Sequence, residues 1–232
     1  MQTGRPDKAA KIRDEIISLM KKLLDTSAAD TEHFAAELMK KKKNFDAILF
    51  FQIAAVYCKN ESNPGDSVNI LHRCSQSIKT AVTDLIENQQ TSKQLIRDHM
   101  IPVLRKINDQ IAGLKGIDKK SLSFIRTVCF HHIEQCQFLA GDLSGREASL
   151  KESISIMQDG HGKDAEKKQI YGGALNNLGH TYLLKDRPNE AAKYFSQAIV
   201  AKKRAEDYDS EAEKREDVQR SEMALQIARR QL

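Results

Sequence analysis

The sequence predicts an all-α protein assembled from helix pairs, and three observations carry that prediction. Apolar residues recur at helical spacing along nearly the whole chain, while period-two alternation is almost absent. Four Pro and eleven Gly in 232 residues are too few for a turn-dense β architecture or a low-complexity chain. The joints between periodic segments are short, which makes neighbours in sequence antiparallel neighbours in space.

Each element follows from its own pattern. Ile12, Ile16, Ile17, Met20, Leu23 and Leu24 form a first stripe, closed by Asp25-Thr26-Ser27. Phe34, Ala35, Leu38 and Met39 form a second, ending in Lys40–Lys43, where cations suit the negative end of a helix. Asn44 is placed to cap an unusually apolar helix, Phe45–Lys59, and Asn60–Asp66 is the clearest loop. Ser67 then reads as the cap of a helix to about residue 88, with Val68, Leu71, Cys74, Ile78, Val82 and Leu85 on one face. The next helix spans Ser92 to Leu114; Pro102 should kink or restart it, and Gly113 and Gly116 end it. Ser121–Ala140, Ser144–Asp159, Asp164–Lys185 and Pro188–Glu206 follow, with Asp186 as a cap before Pro188. A highly charged helix near Ser210–Gln231 closes the chain. One domain, 1–232, is expected: N-terminal helices over 7–59, a divergent pair over 67–114, regular pairs over 120–206, and a capping helix over 210–231.

Composition narrows the function classes. No apolar run approaches the roughly 18 residues of a membrane span, and the first residues lack a signal-peptide core, so no membrane partner is expected. Cys58, Cys74, Cys129 and Cys136 all fall inside apolar helical patterns, which fits a reducing compartment. A cytoplasmic, reducing location is expected, with the nucleus as the alternative. Asn60-Glu61-Ser62 matches a glycosylation sequon but is read as a chance match. The formal charge of +5 is concentrated between residues 88 and 127, in Lys93, Arg97, Arg105, Lys106, Lys115, Lys119, Lys120 and Arg126. That segment could track phosphates, but Phe124 is its only aromatic, so it lacks a stacking platform and nucleic acid is the lesser reading.

The stretch 171–201, YGGALNNLGHTYLLKDRPNEAAKYFSQAIVA, carries the strongest motif. Leu175, Leu178, Gly179 and Tyr182 lie on its first helix, and Ala191, Phe195 and Ala198 on its second. It resembles a tetratricopeptide repeat, with Leu175 in place of the usual Trp and without the closing Pro. Gly179 and Ala191 are small because the two helices of such a repeat cross closely there. A shift of 43 residues sets Leu139 on Tyr182, Ala148 on Ala191 and Ser155 on Ala198, a degenerate earlier unit. Ala47, Phe51 and Ala54 repeat the second-helix spacing. The resemblance implies a right-handed superhelical stack of antiparallel pairs with capping helices at both ends.

No nucleophile elbow, phosphate loop or zinc-protease motif occurs, so neither catalysis nor a cofactor is expected. Cys129, His132 and Cys136 share one side of a helix, but their spread over two turns favours packing over zinc. Asp159–Asp164 is Gly-rich and is read as a flexible connection between pairs. The resemblance implies an adaptor that binds a partner protein in the groove lined by first helices. Asn176, Asn177 and His180 of the best repeat, with Arg126 and Gln137 of the preceding one, are the candidate contacts, and an extended acidic segment is the expected ligand. A competing surface is the apolar outer face around Phe50 and Phe51. Two other classes stand beside this one: a nucleic-acid binder using 88–127, and a structural subunit of a larger complex.

Overall fold

The computed structural model describes residues 27–58 and 63–232, and among these the regular structure is entirely helical. The first apolar stripe, Ile12 to Leu24, and the part of the loop that carries the sequon, Asn60 to Ser62, lie outside the described residues. No helix among the described residues is long and apolar enough to cross a membrane.

Helix α1 spans Ala28–Lys40 and begins in a capping box: Ser27 accepts from the Asp30 amide at 3.1 Å, and Asp30 accepts from the Ser27 amide at 3.4 Å. Lys42, at φ 59°, turns the chain, and α2 follows over Asn44–Tyr57. The Ala47 amide bonds to the Lys43 carbonyl at 2.9 Å, so the helix starts one residue earlier than expected, with Lys43 at the cap. Asn44 is therefore buried in the first turn and does not cap. Helix α3, Pro64–Glu87, also starts a turn earlier than expected. Asn63 caps it by accepting from the Gly65 amide at 2.9 Å, Pro64 occupies the first turn, and Ser67 is buried and donates to the Cys58 carbonyl at 3.0 Å.

The Pro102 region resolves into a short turn, Lys93–Leu95, a π-helical turn, Ile96–Met100, and α4, Ile101–Ala112. Proline has no N–H to close a normal turn, and the widened turn before it takes up the mismatch. Helix α5 spans Lys119–Leu139, α6 Leu143–His161, α7 Gln169–Leu184, α8 Pro188–Arg204 and α9 Glu211–Arg229. Asp118, Asp142 and Ser210 cap α5, α6 and α9. Asp186 does not cap α8; at φ 55° it makes the turn, and Arg187 stands at the cap without a side-chain capping bond, its guanidinium turned to Glu190. Asp159–Asp164 is not a loose loop. α6 runs to His161 and a 3-10 turn covers Gly162–Lys167; a Cβ at Gly160 would sit 2.1 Å from Ser123 Oγ, so α5 and α6 touch there.

Consecutive helices from α5 onward pack on one another in chain order, as do α1, α2 and α3. The expected pair 67–114 is different: α3 and α4 each pack more heavily on α5 than on one another. Phe51, Leu71, Ile78, Leu104, Phe130 and Ile133 anchor the core on that side of α5. On the other side, Leu178, Tyr182, Ala191 and Phe195 pack with Leu150, and Leu175 and Ala198 with Met157. The α7–α8 crossing is as close as its small residues require, since a Cβ on Gly179 would meet the Phe195 ring at 2.7 Å.

Candidate functional groove on the α5, α7 and α9 face

Residues three and four apart on a helix share a face. On α7 the stripe Gln169, Gly173, Asn176, Asn177, His180 and Leu184 is the side left out of the core, while Tyr171, Leu175, Leu178 and Tyr182 are buried. On α5 the comparable stripe is Phe124, His131 and Phe138, of which Phe124 and Phe138 are exposed. Helix α7 touches both α5 and α9, so the three helices stand side by side.

Polar bridges tie the row together. Asn177 Nδ2 donates to Glu134 Oε1 at 2.9 Å, and Arg146 Nε of α6 donates to Glu134 Oε2 at 2.7 Å. His131 Nδ1 lies 3.2 Å from Oε1, and the Arg146 guanidinium stacks 4.5 Å over the Phe138 ring. Burial alone would raise the Glu134 pKa. The hydrogen bond from His131 and the charge of Arg146 outweigh it and hold the carboxyl below its ordinary value.

The second bridge runs to α9. Ser221 Oγ donates to Asn176 Oδ1 at 2.8 Å and accepts from Lys202 Nζ at 2.9 Å. Lys202, 1% exposed, also donates to Asp217 Oδ1 at 2.7 Å, and Tyr208 OH donates to Asp217 Oδ2 at 2.7 Å. Burial lowers the Lys202 pKa against the pull of Asp217; burial and the bond to Asp217 raise that of Tyr208.

Between these bridges lies a pocket of about 430 Å³. Phe124, His131, Gln169, Gly173, Asp207 and Asp217 form its walls, over an apolar floor that includes Leu150, Ile170 and Ala174. Gly173 opens it: nothing lies within 4 Å of where its Cβ would be. A second cavity, about 640 Å³, sits between the ends of α2, α3 and α4 beside Val56, Leu71, Lys106 and Lys115. It lacks the convergent paired polar groups of the first.

The candidate residues divide. Asn176 and Asn177 are on the groove face, each bonded to a neighbouring helix. His180 is there too, its ring centroid 4.9 Å from that of Phe195 in an edge-to-face pair, its pKa lowered by partial burial and by the charges of Arg146 and Lys202. Gln137 is not at the surface: it is 1% exposed, and its Nε2 is packed where a Cβ on Gly145 would fall, 2.7 Å away. Arg126, eleven residues and three turns before it, shares that inward side of α5, half-buried and with no hydrogen-bond partner on Nε. The groove's expected positive charge is therefore missing from this pocket. Glu134, Arg146, Ser221 and Asp217 were not anticipated. Glu134 was findable, because it stands on Asn177 under the same 43-residue shift that aligns the two units.

Other expectations also met their surroundings. Phe51 is fully buried and offers no outer face; Phe50 is half-buried, edge-on to Phe34 at 4.8 Å, and the exposed apolar residues there are Phe34, Phe45, Leu49 and Val56. Part of the basic segment is spent on internal contacts: Arg97 donates to the Ala140 carbonyl at 2.8 Å and Arg105 to Ser149 Oγ at 3.1 Å. Cys129 lies 3.7 Å from the Leu104 carbonyl and His132 Nδ1 3.1 Å from Ser75 Oγ. Burial pushes the thiols of Cys129 and Cys136 up to about 12, which keeps them protonated. No protein-family model matches the chain, and no curated protein is detectably similar to it in sequence.

Proposed function

We propose that this chain is a non-catalytic scaffold or adaptor, a right-handed tetratricopeptide-like stack whose first helices α5, α7 and α9 line a groove for an extended segment of a partner protein. In this reading α9 and the helices before α5 cap the two ends. The observation that carries it is the open face at Gly173, one turn before two asparagines whose side chains are pinned to the helices on either side. A groove braced from beneath keeps its shape when empty, so a peptide loses less entropy on binding there. The polar groups around it are committed to one another, which suits a binding surface better than a reaction centre.

Gly173→Phe tests the reading, because the new ring enters the pocket without meeting any protein atom within 4 Å of its Cβ. Partners recovered from the native source with nuclease present should be lost from the variant while its helicity and melting are unchanged. Equal recovery by both proteins would place binding elsewhere, and recovery that depends on nucleic acid would favour the basic segment. The exposed apolar residues at the ends, Phe34, Phe45 and Leu49 on one side and Met223 and Ile227 on the other, favour a second reading as a subunit of a larger complex. That reading expects a stoichiometric set of subunits that survives Gly173→Phe.

A further inference from the structure

We infer that the groove selects a partner segment with an arginine or lysine side chain, which enters the pocket between Phe124 and the carboxylates of Asp207 and Asp217; this rests on the groove reading above. The lining of the pocket contains two carboxylates and His131 but no lysine or arginine. The chain between α8 and α9 continues the same charge: Glu206, Asp207, Asp209, Glu211 and Glu213 occur within residues 205–213, with no basic residue among them.

This acidic wall is folded against the groove. Asp207 Oδ1 accepts from the Gln169 amide at 2.7 Å, and Glu213 Oε1 accepts from Gln169 Nε2 at 3.1 Å, at the start of α7. Four ammonium groups stand near it: Lys202, Lys168, Lys167 at 3.4 Å from Glu206 Oε1, and Lys214, which donates to the Ala205 carbonyl at 2.8 Å. Lys202 is buried and neutralises one oxygen of Asp217, whose other oxygen accepts from Tyr208, and Lys168 Nζ lies 3.9 Å from Asp207 Oδ2, outside the pocket lining. The five acids of 205–213 still outnumber Lys167, Lys168 and Lys214. Phe124, 37% exposed, adds a ring face that a guanidinium or ammonium can stack upon. The apolar floor accepts the methylene stem of the same side chain. A cationic residue flanked by apolar ones fits all of these features, and the acidic ligand expected from the sequence fits none.

The test uses the full chain and three fluorescein-labelled peptides of equal length, in which Leu alternates with Arg, Gln or Glu, read by fluorescence anisotropy. The Arg peptide should bind, with the Gln peptide about tenfold weaker and the Glu peptide weaker again. The chain's net charge of +5 opposes such binding in general, so a positive result reports a local site. Affinity for the Arg peptide should fall with added salt. It should drop about tenfold in Gly173→Phe and several-fold in Asp207→Asn, which keeps an acceptor for the Gln169 amide. Should Gly173→Phe fail to fold, Phe124→Ala at its exposed site gives the same discrimination.

If the Gln or Glu peptide binds as tightly as the Arg peptide and is lost in Gly173→Phe, the charge preference is wrong while the groove stands. An Arg peptide that binds all variants equally overturns both. If none of the three binds, the basic-ligand inference fails.

Discussion

Replacing Arg146 by Met removes the cation from the most buried ion pair among the described residues and leaves Glu134 behind. The side chains of Glu134 and Arg146 are 1% and 8% exposed, so solvent cannot compensate the carboxylate. Breaking one side of such a pair costs about 3–5 kcal/mol. For a chain of this length about 2–4 °C of melting temperature goes with each kcal/mol, so a fall of about 6–20 °C is expected. Glu134 can limit the loss by taking up a proton, at about 1.4 kcal/mol for each pH unit between solution and its own pKa. This gives the variant an opposite pH signature. In the wild type the Glu134 pKa is lowered, so the pair stabilises the fold above the ordinary carboxyl range and that contribution is lost as pH falls through the lowered folded value. In Arg146→Met the buried carboxyl is raised, so the variant should gain stability relative to wild type as pH falls from 7 toward 5. Replacing both partners, Glu134→Leu with Arg146→Met, should recover most of the loss, because no charge is then stranded. Urea unfolding followed by circular dichroism at pH 5 and 7 measures all of this. A single variant within about 0.5 kcal/mol of wild type at pH 7, or one that loses stability in parallel with it on acidification, would refute the reasoning.

Two further expectations concern packing. Gly179→Ala should destabilise the α7–α8 pair by about 1–3 kcal/mol despite a better helix propensity, because the added methyl meets the Phe195 ring at 2.7 Å; an unchanged urea midpoint would mean the helices separate freely. All four thiols are buried, so a disulfide-exchange reagent should label them at the rate of unfolding, and rapid labelling of the native protein would contradict their burial.

Periodicity within a helix is a local property, and it located most helices to within a turn. The repeat-like motif also marked Gly179 and Ala191 as a close crossing, and the structure sets the Phe195 ring against Gly179 there. Helix starts were less legible. Ser67 and Asn44 are good caps by type, yet Asn63 with Pro64, and the Lys43 carbonyl that accepts from the Ala47 amide, moved both starts upstream. What a helix start needs is an acceptor for a free amide at the right turn of the chain, and several nearby residues can supply it.

The charge of the groove was the largest thing the sequence left open. Residues 88–127 hold the chain's positive excess, but a helix rotates about 100° per residue. Whether Arg126 or Phe124 faces the groove depends on which side of α5 is claimed by α3, α4 and α6. Packing on those three turned Arg126 and Gln137 inward and left Phe124 and His131 outside. The sequence by itself determined most of the helices and the small residues at the α7–α8 crossing, because each is fixed by neighbours along the chain. Only the tertiary structure decided the pairing of Glu134 with Arg146 and Asn177, and of Lys202 with Asp217 and Ser221. Those bonds join side chains 12 to 43 residues apart, and their energy comes from burial that no single helix can provide.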